Sequence, residues 1–230
     1  MARIDDLCSN LNAVRARIAA AEKSAGREPG SVTLLPVTKF HPASDLGLLA
    51  ELGVTEVGEN REQEAREKAA QFPDVHVTMI GQLQTKKANA VARWAHAVHS
   101  VDSAELARKL DHGMELALER GDRTGDVLGC FIQLSADGDT SRGGAVEADI
   151  AEIAQVISDA QFLRLRGLMV VPPLDADPAE VFTRARALTD ALGSDLELSA
   201  GMSGDMEEAI SAGSDIVRVG TDIMGRRPIA

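Results

Sequence analysis

The chain has 230 residues, 44% of them hydrophobic and 3% aromatic, and its 36 acidic against 24 basic residues give a formal net charge of −12. That balance argues against nucleic acid as the main partner, because phosphate backbones are bound by neutralising Lys and Arg and single strands by stacking aromatics; a small phosphorylated ligand needs only a local site and stays open. No apolar run approaches the roughly 20 residues of a spanning helix, and MARIDDLCSN puts acids where a secretory signal is apolar, so the expected location is cytoplasmic, without membrane contact.

Ile4, Leu7, Leu11, Val14 and Ile18 recur at helical spacing, predicting a helix that ends near Gly26. Cys8 falls within this helix and Cys130 within the apolar run VLGCFIQL, so both read as small core residues. The five histidines show no ligand spacing, and no metal is expected. Strand-like segments then follow at 33–38, 54–57, 77–80, 97–100, 127–134, 164–169, 196–199 and 216–219. Helix-like stretches separate them at 42–52, 61–71, 84–95, 103–119, 146–160, 178–192 and 205–212. Strands alternating with helical crossovers imply a parallel sheet. An open doubly wound sheet is the competing arrangement, but this many units in so short a chain favour closure. The expected fold is α/β, a single (β/α)8 TIM-type barrel with an extra N-terminal helix, over one domain, 1–230. Two Gly-, Asp- or Pro-rich loops, Ala136–Gly144 and Val171–Pro178, follow strands and should hang over the functional rim.

Within SVTLLPVTKFHP the apolar positions suit a strand buried on both faces, and Lys39 follows at its carboxyl end, where such folds place their chemistry. Leu35, Val37 and Lys39 share a face at period two. A lysine against an apolar wall is pushed towards the neutral amine that condenses with aldehydes. A rim lysine that merely covers apolar surface with its stem is the ordinary alternative.

The end of the chain carries the second signal. Gly201, Ser203 and Gly204 precede a short helix, and Gly220 and Thr221 close the last strand, the place where barrels often hold phosphate. Helix capping explains Ser203 and Asp205 equally well, with Glu208 completing a D-x-x-E box. Nearby acids (Asp205, Glu207, Glu208) would repel an anion unless turned away. Arg218 interrupts the strand on the face of Gly220; a buried charge there needs either an acidic partner or a ligand. Arg164 and Arg166 lie early in their strand and read as bottom-face charges. Glu59 is either a general base or a helix-start acid, and Asn60 a turn residue or ligand donor. Lys86 and Lys87 read as a solvated face.

With LLPVTKFHP, VGENREQE, MIGQLQTKKAN, HSVDS, LRGLMVVPP and LSAGMSGDMEEAISAGSDIVRVGTDIMG in view, the chain resembles the pyridoxal-phosphate homeostasis proteins, single-domain relatives of the alanine racemase barrel. These segments run in family order across nearly all of residues 32–225. The resemblance implies pyridoxal 5'-phosphate as cofactor, held as an internal aldimine on Lys39. It places Ser203, Gly220 and Thr221 at the phosphate, Arg218 at the pyridine nitrogen and Asn60 beside the ring, with no catalytic residue and no metal. Departures occur at Thr38 (usually serine), Thr78 (histidine), Lys86 (asparagine), Ala200 (methionine) and at Arg142, where the family has a lysine.

The implied function is binding of the cofactor and intracellular vitamin B6 homeostasis without robust turnover, by a monomer whose partners include PLP-dependent apo-enzymes. One rival is a low-activity amino-acid racemase. The racemases use a tyrosine from an added domain opposite the lysine, and this chain contains no tyrosine. An arginine at the ring nitrogen would also keep that nitrogen unprotonated and weaken the electron sink. Another rival is a cofactor-free barrel enzyme for a phosphorylated metabolite.

Overall fold

The structure, a computed structural model, describes residues 2–226; Met1 and residues 227–230 of the expected domain lie outside the described residues. Eight parallel strands stand in the order β1-β8-β7-β6-β5-β4-β3-β2. They are β1 (Thr33–Pro36), β2 (Glu56–Glu59), β3 (His76–Met79), β4 (Ala97–Val101), β5 (Leu128–Leu134), β6 (Leu163–Val170), β7 (Glu197–Ser199) and β8 (Ile216–Val219). A parallel bridge between Val37 and Gly58 joins the two ends of that order and closes the barrel. Helices α2 (Ala43–Glu51), α3 (Glu62–Gln71), α4 (Ala88–Val91), α5 (Ala104–Glu119), α6 (Glu147–Asp159), α7 (Pro178–Leu192) and α8 (Met206–Ser211) lie between the strands, and α9 (Thr221–Met224) follows them. This is the (β/α)8 TIM barrel expected, and the extra N-terminal helix is α1 (Arg3–Ser24). No helix among the described residues is long and apolar enough to cross a membrane.

Period-two alternation sorts the strand residues. Outward-facing Val57, Val77, Val98, Ile132, Leu168, Leu198 and Val217 pack under the helices in two large apolar clusters. Inside the barrel, Leu35, Phe131, Met169 and Ile216 form a small core with Ile80 against it. Below it, a bulge in the β5–β6 ladder pairs Cys130 with Leu165 and then Phe131 with Gly167, leaving Arg166 as the extra residue. Its guanidinium lies 5.4 Å from the Phe131 ring centre and donates to Glu197 at 2.6 Å, as suits a charge near the bottom. A β-carbon at Gly167 would stand 1.7 Å from the Glu197 carbonyl oxygen, so only glycine fits the bulge.

Four elements differ from expectation. β1 ends two residues early, at Pro36, with Val37 continuing only as a single bridge. β2 starts two residues later than its apolar pattern, because the Val54 N–H closes the end of α2 on the Leu49 carbonyl at 3.0 Å. Glu59 is therefore the last strand residue, not the first loop residue. The helix expected over 84–95 is a 3₁₀ turn, Thr85–Lys87, then α4 and further single turns such as Trp94 N–H to Val91 O at 3.1 Å. The chain must leave that helix to enter β4 at Ala97. α9 is too short for periodicity to announce it. Cys130 is buried as expected, whereas Cys8 is only half-buried at the edge of α1.

Candidate functional site

At the carboxyl ends of the strands a cavity of about 410 Å³ is lined by Lys39, Asn60, Ser203, Arg218, Gly220 and Thr221, together with apolar Val37, Ile80, Met169 and Met202. The six residues that the resemblance placed at the cofactor thus line one space, contributed by the ends of β1, β2, β7 and β8, whereas Gly201 and Glu59 do not line it. Lys39 sits in a turn in which His41 N–H donates to the Thr38 carbonyl at 3.1 Å. Phe40, at φ +68°, occupies the left-handed region that a bulky residue enters at a cost. From outside, Arg61 lies 5.0 Å over the Phe40 ring, and Phe40 N–H donates to Glu64 at 3.4 Å.

Arg218 is 4% exposed. The acidic partner considered from sequence is not what holds it: Nη1 donates to Ser199 Oγ at 2.7 Å and Nη2 to the Val170 carbonyl at 2.9 Å. Burial pushes its guanidinium down to about 10, with Asp205 opposing weakly from a distance. A cation surrounded by neutral acceptors leaves positive potential in the cavity floor for a ligand.

Ser199 also meets His99, whose Nδ1 is 3.1 Å from Oγ and whose ring packs 4.0 Å from Phe131. Sequence reasoning gave His99 no role, since one histidine in a strand carries no pattern. Full burial, reinforced by the charges of Arg218, Arg166 and His96, holds its pKa well below the ordinary 6.5. Burial likewise lowers His96 and His41. An unfolded chain takes up protons below about pH 6.5 that these folded histidines refuse, so stability falls as pH drops through that value. Replacing His99 by Gln should cut the loss of unfolding free energy between about pH 6.5 and 5.5 by up to ~1 kcal/mol, measured by urea unfolding across pH. An unchanged slope would show that His99 does not carry it.

His41 was missed too. It lines the cavity from the same turn as Lys39, buried, with Nδ1 3.6 Å from Asp45.

The added helix α1 engages Glu207, one of the acids near Ser203. Arg17 donates to Glu207 at 2.8 Å, to Asp222 at 2.5 Å and to the Ser203 carbonyl at 3.1 Å, tying both glycine-containing loops together. The hydrogen bond to Arg17 holds Glu207 below the usual carboxylate range. Asp205 occupies the N-cap position of α8, but its carboxylate accepts from Met202 N–H at 2.6 Å, so the D-x-x-E box does not form. Glu59 is neither a cavity base nor a helix-start acid: it points out of the barrel at 0% exposure and pairs with Lys68 of α3. Lys86 is exposed and Lys87 pairs with Glu62 at 3.0 Å. The Ala136–Gly144 loop holds a 3₁₀ turn, Thr140–Arg142, with Arg142 on Asp137 and on Asp139 at 3.5 Å. It borders a neighbouring hollow of about 240 Å³ that shares Asn60 and Met169 with the main cavity.

Residues 9–228 match the family described as alanine racemase, N-terminal domain. A pyridoxal phosphate homeostasis protein of Corynebacterium glutamicum is 57% identical over 221 residues, spanning 94% of this chain and 100% of its own. Its namesake in Escherichia coli K12 is 34% identical over 236 residues, with 97% and 98% covered. PipY of Synechococcus elongatus PCC7942, solved with PLP bound, superposes with a TM-score of 0.79 at 33% identity, covering 95% of this chain and 100% of that one. A closed barrel, a cavity at its carboxyl rim and likeness along nearly the whole length lead to one conclusion: the chain belongs to the pyridoxal phosphate homeostasis proteins, within the alanine racemase N-terminal domain family.

Proposed function

We propose that this protein binds pyridoxal 5'-phosphate in the cavity at the carboxyl ends of the strands, and that reversible holding of the cofactor is its part in intracellular vitamin B6 homeostasis. The observation that carries this reading is the convergence of Lys39, Asn60, Ser203, Arg218, Gly220 and Thr221 on that cavity. The donor set fits the group: an amine, a guanidinium engaged among the described residues by neutral acceptors, and small or hydroxyl residues from two loops. When bound, pyridoxal phosphate supplies an aldehyde that a lysine amine can hold as a Schiff base. Lys39 provides that amine. Arg218 would donate towards the pyridine nitrogen, Asn60 would flank the ring, and Ser203, Gly220 and Thr221 would receive the phosphate, whose repulsion by Glu207 and Asp222 is reduced by their pairing with Arg17.

The same residues support holding over turnover. Racemisation needs a proton-transfer group facing the lysine, and the chain has no tyrosine. His41, a titratable group on the cavity wall, rises from the turn that carries Lys39 itself. Release to PLP-dependent apo-enzymes by a cytoplasmic monomer completes the reading.

Incubation with pyridoxal phosphate should give a violet-edge absorbance that borohydride abolishes, leaving one tagged peptide containing Lys39 by mass spectrometry. The loaded protein should form no D-alanine from L-alanine at enzyme rates. A colourless protein would favour a barrel enzyme that uses Lys39 without cofactor, and steady D-alanine formation would make it a racemase.

A further inference from the structure

Lys39 and Asn60 stand at the ends of β1 and β2, the two strands that close the barrel. These strands meet through the Val37–Gly58 bridge, with Thr38 N–H donating to the Gly58 carbonyl at 3.1 Å. Because successive residues of a strand face opposite sides, Thr38 and Glu59, one position before Lys39 and Asn60, turn away from the cavity towards α3. There Thr38 Oγ1 donates to Glu59 Oε1 at 2.5 Å. Lys68 Nζ donates to the same carboxylate oxygen and, at 2.8 Å, to the Thr38 carbonyl. Thr38 and Glu59 are 0% exposed and Lys68 is 4% exposed. The Thr38 carbonyl also accepts the His41 N–H that closes the turn around Phe40.

Stability alone accounts poorly for this cluster. A buried ion pair is often no better than apolar residues of similar size. Here Glu59 Oε2, also buried, finds no hydrogen-bond partner among the described residues.

We infer that Thr38, Glu59 and Lys68 are positioning residues, a brace across the closing seam that fixes the strained turn so that Lys39 emerges into the cavity. The inference rests on the proposed role of Lys39 as the amine that holds the cofactor. The brace acts from the outer face, through the carbonyl of the preceding residue, and touches no ligand.

Thr38→Val removes the hydroxyl at nearly constant volume, Thr38→Ser keeps it, and Glu59→Gln combined with Lys68→Met removes both charges at once. Thr38→Val and the double variant should melt within a few degrees of the parent without cofactor. At a pyridoxal phosphate concentration that half-labels the parent on Lys39 after borohydride reduction, the apparent affinity of both should be weaker by roughly tenfold, the scale of one lost hydrogen bond to a charged group. Thr38→Ser should label like the parent. Without cofactor, hydrogen exchange at residues 38–41 should accelerate in the two weakened variants while β5 and β6 keep their protection. A parent that is not labelled on Lys39 would defeat the proposed function itself. A labelled parent matched by an equally labelled, folded Thr38→Val variant would overturn the brace, whether or not the double variant folds.

Discussion

Lys39→Ala is expected to abolish borohydride-fixed pyridoxal phosphate while leaving the fold intact. The side chain lies beyond β1, in a turn at the cavity wall and outside the apolar clusters, so its truncation opens no core cavity. For a chain of this size, a change of about 0.5 kcal/mol moves the melting temperature by roughly 1–2 °C. Other lysines do not replace it. Lys68, the nearest in the fold, is buried on the far side of the strand, its amine engaged by Glu59 and the Thr38 carbonyl. Lys86 is exposed and away from the cavity. The loops proposed to receive the phosphate and Arg218 survive the change, so weak, non-covalent binding should remain, detectable by equilibrium dialysis but lost on gel filtration. A variant that retains the cofactor through gel filtration and borohydride treatment would move the covalent site off Lys39. A variant that unfolds would make this lysine part of the structure and not of a ligand site.

Much of this was legible in the chain because barrel strands repeat a simple signal. Short apolar runs set the positions of the strands, and residues just past them fall on one rim whatever their spacing in sequence. That is why Lys39, Asn60, Ser203 and Thr221 reach one cavity. Period-two alternation likewise put Arg218 on the face of Gly220, and that face is the inner one. Alternation cannot be read without the correct strand limits, however. Placing β2 at 54–57 instead of Glu56–Glu59 put Glu59 beyond the strand, as a general base or a helix-start acid, when it is an outward-facing strand residue paired with Lys68. His99 and Ser199 escaped notice because their meaning is a contact between β4 and β7, 100 residues apart. The role of α1 was equally hidden. Its apolar stripe announces a helix, but nothing in that stripe says that Arg17, on another face, will bridge Ser203, Glu207 and Asp222.

Arg218→Met should separate folding from binding. The native guanidinium is buried with no carboxylate partner among the described residues, and its depression from 12.5 to about 10 corresponds to a desolvation cost on the order of 3 kcal/mol. The unfolded chain holds that proton more tightly than the folded one. The penalty is therefore present in full below about pH 10 and is relieved only as pH rises from there towards 12.5. Methionine has a similar reach, needs no solvation and takes up irregular space. Against this gain stand the lost bonds to Ser199 Oγ and the Val170 carbonyl, about 1–3 kcal/mol for an acceptor left without another partner, and Ser199 Oγ keeps His99. The two contributions nearly cancel, so without cofactor the variant should melt within a few degrees of the parent at neutral pH. Binding should not recover in the same way. On the proposed reading a donor to the ring nitrogen is lost and the positive potential of the floor disappears, so affinity for pyridoxal phosphate should fall by roughly 10- to 100-fold. The absorbance of any residual complex should shift, because on that reading the ring nitrogen would no longer face a cation. Melting curves with and without saturating pyridoxal phosphate, beside a spectral titration, measure both quantities. A variant that melts far below the parent while its ligand-induced rise in melting temperature is intact would make Arg218 a strut of the barrel and free the ring nitrogen for another partner.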